Sequence, residues 1–248
     1  MDDLTFISAV VALAGAGLAG FLGYWAQQRL RAIEQRGLMD AYGASLAWAV
    51  FDLQSRLFNI LQGHVLDRAP GPGSGFLTAF LTHGSPQDAE FVRRSTVFVL
   101  AEYLGWVEIM RRDVQFLDLG RSDANQAVMV GISDIAAALN AVSHPGGNEL
   151  RLFRAQQRAI GELMIHDSAE PGRRRCLGYA EFCGRLDADE AFLRWFRPLL
   201  DDVDRLAAGP APALPRLREV QTKLVALLDI LDPQAERFPR HRTAFPAL

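Results

Sequence analysis

LTFISAVVALAGAGLAGFLGYW, residues 4–25, carries no charged side chain. A helix of this length covers a bilayer hydrocarbon core of about 30 Å. Backbone immersed in lipid must satisfy its own hydrogen bonds, so such a run reads as helix. Residues 4–25 are therefore expected to form a single transmembrane anchor, with the lipid bilayer as partner. Small residues recur on one face: Ala12, Ala16 and Gly20 step by four, as do Gly15, Ala19 and Gly23. Rows of this kind let two helices approach closely, so the Ala/Gly-rich anchor is also a candidate for self-association.

Three other readings compete. A cleaved signal peptide opens with positive charge, whereas this chain opens Met1-Asp2-Asp3. A buried core helix accounts for the alanines and glycines. An interfacial helix needs a charged face, and no charge follows Asp3 until Arg29. Flanking charge sets the orientation. Asp2 and Asp3 precede the span and Arg29, Arg31 and Arg36 follow it. Arginine excess marks the cytoplasmic side of a membrane. Residues 1–3 are thus expected outside, 26–37 form a juxtamembrane stalk, and the remaining chain is a cytoplasmic domain. Tyr24 and Trp25 fall at headgroup depth, where aromatic rings concentrate.

The 248 residues are 50% hydrophobic, with a net charge of −3. That balance lacks the basic footprint of a nucleic-acid binder, so no nucleic-acid partner is expected. Two cysteines, Cys176 and Cys183, are too few for a disulfide scaffold. Lys223 is the sole lysine, and it lies in an apolar-periodic helix. Mechanisms that place a lysine in a phosphate loop or a Schiff base are accordingly disfavoured.

Residues 38–231 read as one all-α helical bundle with breaks near 68–75, 167–175 and 209–215, followed by an extended tail, 232–248. Residues 38–67 supply the expected central helix. Leu46, Val50, Leu53, Leu57 and Ile60 make one apolar row, and Trp48, Phe51 and Phe58 make a second. Ser85-Pro86-Gln87-Asp88 begins the next long helix, with serine as N-cap, proline at N1 and an acid at N3. That helix is expected to reach Leu117. Further helices follow over 122–140, 149–165, 191–206 (kinked or restarted at Pro198) and 215–231, while 176–186 fits helix or strand equally.

No histidine pair has metal-ligand spacing, so neither metal nor cofactor is expected. The best polar constellation is Asp52, Arg56 and Asn59 on one face of the central helix, with Glu102 embedded in FVLAEYLGW. A buried carboxylate must be paired or protonated, and Arg56 is the expected partner of Glu102. A weaker set combines His166 with Cys176 as base and thiol. Arg173, Arg174 and Arg175 form a loop cluster suited to anionic headgroups. The favoured reading is a single-pass, membrane-anchored interaction, scaffold or regulatory domain with an unknown protein partner, and not an enzyme. A membrane-associated enzyme or ligand-binding domain using Asp52, Arg56 and Glu102 is one alternative. A self-associating membrane assembly component is another.

Overall fold

A computed structural model describes residues 17, 20–25, 42–61, 75–114, 123–142, 147–166, 173–209 and 213–245. The chain divides into two units, Met1–Ala41 and Tyr42–Leu248. In the first unit, residues 20–25 are helical. Most of the expected anchor and all of the stalk 26–37 lie outside the described residues. Among the described residues no helix is long and apolar enough to cross a membrane.

The second unit is all-helical. Its elements are α1 (residues 42–61), α2 (Phe76–Thr82), α3 (Pro86–Val114), α4 (Asp123–Asn140), α5 (Arg154–Leu163), α6 (Tyr179–Ala188), α7 (Glu190–Ala208) and α8 (Leu214–Leu231). Among the described residues the only β pairing is one isolated antiparallel bridge, Ile165 with Cys176. That bridge accounts for the ambiguity of 176–186: the segment enters extended at Cys176 and turns helical at Tyr179.

α1 buries its first apolar row as expected; Leu46, Val50, Leu53, Leu57 and Ile60 are each at most 4% exposed. Its second row has a different use. Trp48 is 54% exposed, and it meets Phe238 of the C-terminal tail edge-on at 4.7 Å between centroids. Phe51 stacks on Phe238 at 4.4 Å, and Phe58 meets Phe245 at 5.8 Å. The tail is therefore docked on α1 as far as residue 245, beyond the expected domain end at 231. Two buried glutamines hold it. Gln54 donates to the His241 carbonyl at 2.8 Å, and Gln221 donates to the Thr243 carbonyl at 3.0 Å. Gln221 also accepts the Phe245 N–H at 2.8 Å and donates to Gln54 at 3.2 Å.

α1 shares the centre with α3, which is buried around most of its circumference and packs on α2, α5, α6 and α7. α3 starts as its sequence dictates. The Ser85 hydroxyl accepts the Asp88 N–H at 3.1 Å, and Asp88 accepts the Ser85 N–H at 3.3 Å, a reciprocal cap. Two glycines set its approach to α5 and the bridge segment. A Cβ on Gly161 would lie 2.6 Å from the Leu104 carbonyl oxygen, and one on Gly105 would lie 2.6 Å from Cys176 Sγ. At Gly161 backbone thus crosses backbone, and at Gly105 the Cys176 and Met164 side chains fill the space a methyl group would need.

α5 begins at Arg154, five residues later than the periodicity predicts. The connection before it is held non-helical from outside. Leu150 has φ of 54°, and its N–H donates to the Asp202 carboxylate of α7 at 2.8 Å. The buried Arg216 of α8 donates to the carbonyls of Gly147 (2.8 Å), Glu149 (3.1 Å) and Ala141 (3.1 Å). These ties outweigh a helical pattern that begins at Glu149. α7, capped by Asp189, runs through Pro198 without a restart.

These contacts fix the expected response to substitution. Leu53→Ala should cost about 2–5 kcal/mol in denaturant unfolding, the range for deleting a buried leucine side chain. Gly161→Ala should cost about 1–3 kcal/mol by overpacking against fixed backbone. Gly184→Ala in α6, where a Cβ meets nothing within 4 Å, should instead be neutral or stabilising by up to about 1 kcal/mol.

Candidate functional site

The polar row of α1 does not assemble into one site. Arg56 is half-buried; its guanidinium donates to Thr96 Oγ1 at 2.9 Å and lies 4.7 Å over the Phe76 ring. Asp52, one turn earlier, is on the exposed side of α1 and within electrostatic reach of Arg56. Asn59 stands apart, exposed in a cleft of about 590 Å³ between α1 and the tail that also takes in Ser55 and His241.

Glu102 of α3 corrects the expected pairing. No ion pair joins it to Arg56, which is spent on Thr96 and Phe76. The charge that acts on Glu102 is the like charge of Asp52, and its hydrogen bond comes from the Trp106 side chain. Burial pushes the carboxyl up from its ordinary 4.5 to about 7; Asp52 adds to the shift and Trp106 only partly offsets it. The Asp52 carboxyl is also raised by the surrounding protein, against the partial relief of Arg56. Two carboxyl groups that disfavour each other's charge are a proton-holding arrangement.

Cys176 joins this region from the bridge segment, its thiol 3.8 Å from the Glu102 carbonyl oxygen. Burial, followed by the Glu102 charge, pushes that thiol well above the usual range. Such a thiol stays protonated, and the thiolate is the nucleophile. His166 is engaged elsewhere: its Nε2 lies 3.0 Å from the Arg175 guanidinium and 3.6 Å from Glu181. The thiol–base pairing considered from sequence is thus not formed. Both Cys176 and Cys183 are free. Among the described residues no group of three or more His, Cys, Asp or Glu side chains is placed to hold a metal.

The arginine loop divides as well. Arg174 is structural: its Nε lies 2.8 Å from Asp113, and its N–H donates to the Tyr42 hydroxyl at 3.1 Å. Tyr42 in turn donates to Asp113 at 2.8 Å. Arg173 and Arg175 remain exposed.

A third region was missed from sequence. Glu108 is 2% exposed, yet Arg111 (2.6 and 2.7 Å) and Arg112 (2.7 Å) bind its carboxylate. Burial alone would raise this group, but the two guanidinium groups outweigh it and hold the carboxyl below its ordinary range. The signal was legible as an acid with arginines three and four residues later, the favourable order for helical pairs. This pair edges a cleft of about 230 Å³ among α3, α4 and α5. Compared with protein-family models, characterised proteins and solved structures, the chain matches none.

The Glu102 arrangement has a measurable pH signature. The folded protein holds this proton between pH 4.5 and about 7, where the unfolded chain has released it. Stability contributed by Glu102 is therefore complete below pH 4.5 and is lost as pH rises through 7. Glu102→Gln should match the parent at pH 4 and exceed it at pH 8 by about 1–2 kcal/mol, a figure discounted for partial exposure. Asp52→Asn should lower the Glu102 midpoint in a carboxyl-carbon NMR titration; an unchanged midpoint would remove Asp52 as a cause.

Proposed function

We propose that this chain is a membrane-tethered helical domain with an interaction or regulatory role, and that it is not an enzyme. The observation that carries the tether is the row of large apolar side chains at residues 21–25 of the first unit. Phe21, Leu22, Tyr24 and Trp25 are 51–66% exposed, continuous in sequence with the uncharged run from Leu4. Apolar surface of this density calls for a cover, and a bilayer satisfies both the length of the run and its aromatic end. The arginines at 29, 31 and 36 favour a cytoplasmic domain. The non-catalytic half of the reading is supported by how the candidate groups are used: Cys176 is protonated, His166 is engaged away from it, and Arg56 and Arg174 serve structural contacts.

A second reading, a proton-linked ligand site at Asp52 and Glu102, is favoured by the raised Glu102 carboxyl. Self-association through the anchor is a third, supported by the spacing of Gly15, Ala19 and Gly23.

The full chain should pellet with membranes and resist carbonate extraction. Leu13→Arg combined with Leu18→Arg should release it, because each arginine at a span's centre costs roughly 2.5–3.5 kcal/mol. Recovery of the parent chain in the soluble fraction defeats the tether. A periplasmic-type alkaline phosphatase fused after Leu248 should be inactive in cells, since that reporter folds only outside; strong activity reverses the orientation.

A further inference from the structure

We infer that the cleft among α3, α4 and α5 is a binding site for a small single-chain amphiphile with a carboxylate head, taken up as a free monomer. The inference rests on this cleft alone and goes beyond the tether reading, so either can fail without the other.

The cleft has the two-part chemistry such a ligand needs. Its floor is apolar, made by Leu104 and Met110 of α3 with Met129 and Ile132 of α4. The two methionines are unbranched and adapt to an alkyl chain. Its rim is cationic, with Arg154 and Arg158 one helical turn apart on α5. The other charges at the cleft cancel. Glu108 is held by Arg111 and Arg112, and Arg112 also meets Glu162 at 3.1 Å. Arg154 spends one donor on the Ser133 carbonyl at 3.2 Å. Arg158 is exposed and forms no ion pair among the described residues. The rim therefore keeps a net positive charge directly above an apolar floor. A guanidinium fork is the side chain best matched to a carboxylate.

Size selects the occupant. At about 230 Å³ the cleft sits just under the roughly 300–1,000 Å³ of ordinary ligand pockets. That suits a chain of medium length. It is too small for the row of anchors, spaced i, i+4, i+7, that a docked helix inserts.

The test uses the full chain in a zwitterionic detergent, with carbon-13 methyl signals of Met110 and Met129 as reporters. Sodium butanoate, hexanoate and octanoate are titrated as monomers. Saturable shifts are expected, tightening about threefold to fourfold for each added buried CH₂ until the cleft fills. Octanol should bind at least tenfold more weakly than octanoate. Arg158→Glu, at an exposed position that leaves folding intact, should weaken octanoate at least tenfold while leaving octanol unchanged. Ala136→Phe, which fills the cleft, should abolish both. Equal affinity for octanol and octanoate, no chain-length dependence, or indifference to Arg158→Glu overturns the proposal. So does a response of these methyls to anionic lipid vesicles but not to monomeric octanoate, because the source would then be a bilayer.

Discussion

A helix buried on nearly every side cannot be accommodated by one neighbour, and α3 imposes that constraint on the whole domain. Its apolar and small residues leave no broad solvated face, so α1, α2, α5, α6 and α7 must all be recruited around it. The α5 approach is possible only because Gly161 has no Cβ at the crossing, and Gly105 leaves room for the Cys176 and Met164 side chains. Interiors pack as densely as organic crystals, so a crossing set by backbone contact leaves little room for adjustment. The same closeness delivers Cys176 to the Glu102 carbonyl and places Glu108 at the α5 boundary. The candidate sites are thus consequences of the α3 packing.

A second device closes the domain from its far end. Helices end with carbonyls that lack partners, and connecting segments carry backbone polar groups that cannot be buried unpaired. Here three long side chains resolve both problems. Arg216 supplies three donors to the α4–α5 connection, and Gln54 and Gln221 supply both donors and acceptors to the tail. Burying Arg216 lowers its affinity for its proton, a cost that three charge-assisted bonds offset. The tail's aromatic rings then cover the second apolar row of α1.

Much of this was legible in the sequence and some was not, for a physical reason. Periodicity reports which side chains share a helix face, and on that basis the buried row from Leu46 to Ile60 is readable. The Ser85 cap was readable because its chemistry is local. The partner of a face is set by tertiary contacts with no local trace. Hence the sequence offers Glu102 as the partner of Arg56, which instead meets Thr96, and gives no sign that the tail docks. The helical pattern at Glu149 was real, but Asp202 and Arg216, 53 and 67 positions away in the chain, overrode it. The uncharged run at residues 4–25 is the opposite case: its length and lack of charge are wholly sequence properties.

The contrast between Glu102 and Glu108 carries the argument about chemistry furthest. Both are glutamates on the same helix, six residues apart, and both are withdrawn from water. Their carboxyl groups move in opposite directions. Glu108 is followed by arginines at the third and fourth positions, so its charge is fixed and its surroundings stay ionic through the physiological range. Glu102 is followed at the same spacings by Gly105 and Trp106; one offers no side chain and the other a single neutral donor, while Asp52 faces it from α1. What separates a permanent charge from a proton-holding group is thus the identity of two residues one turn downstream, together with the sign of one neighbour across the helix interface. A fixed carboxylate orders the cations it binds, here Arg111 and Arg112, and so leaves Arg154 and Arg158 of α5 to set the charge of the cleft rim. A carboxyl that changes state near neutral pH makes its surroundings sensitive to pH and to any ligand that brings charge, and here it sits beside a protonated thiol.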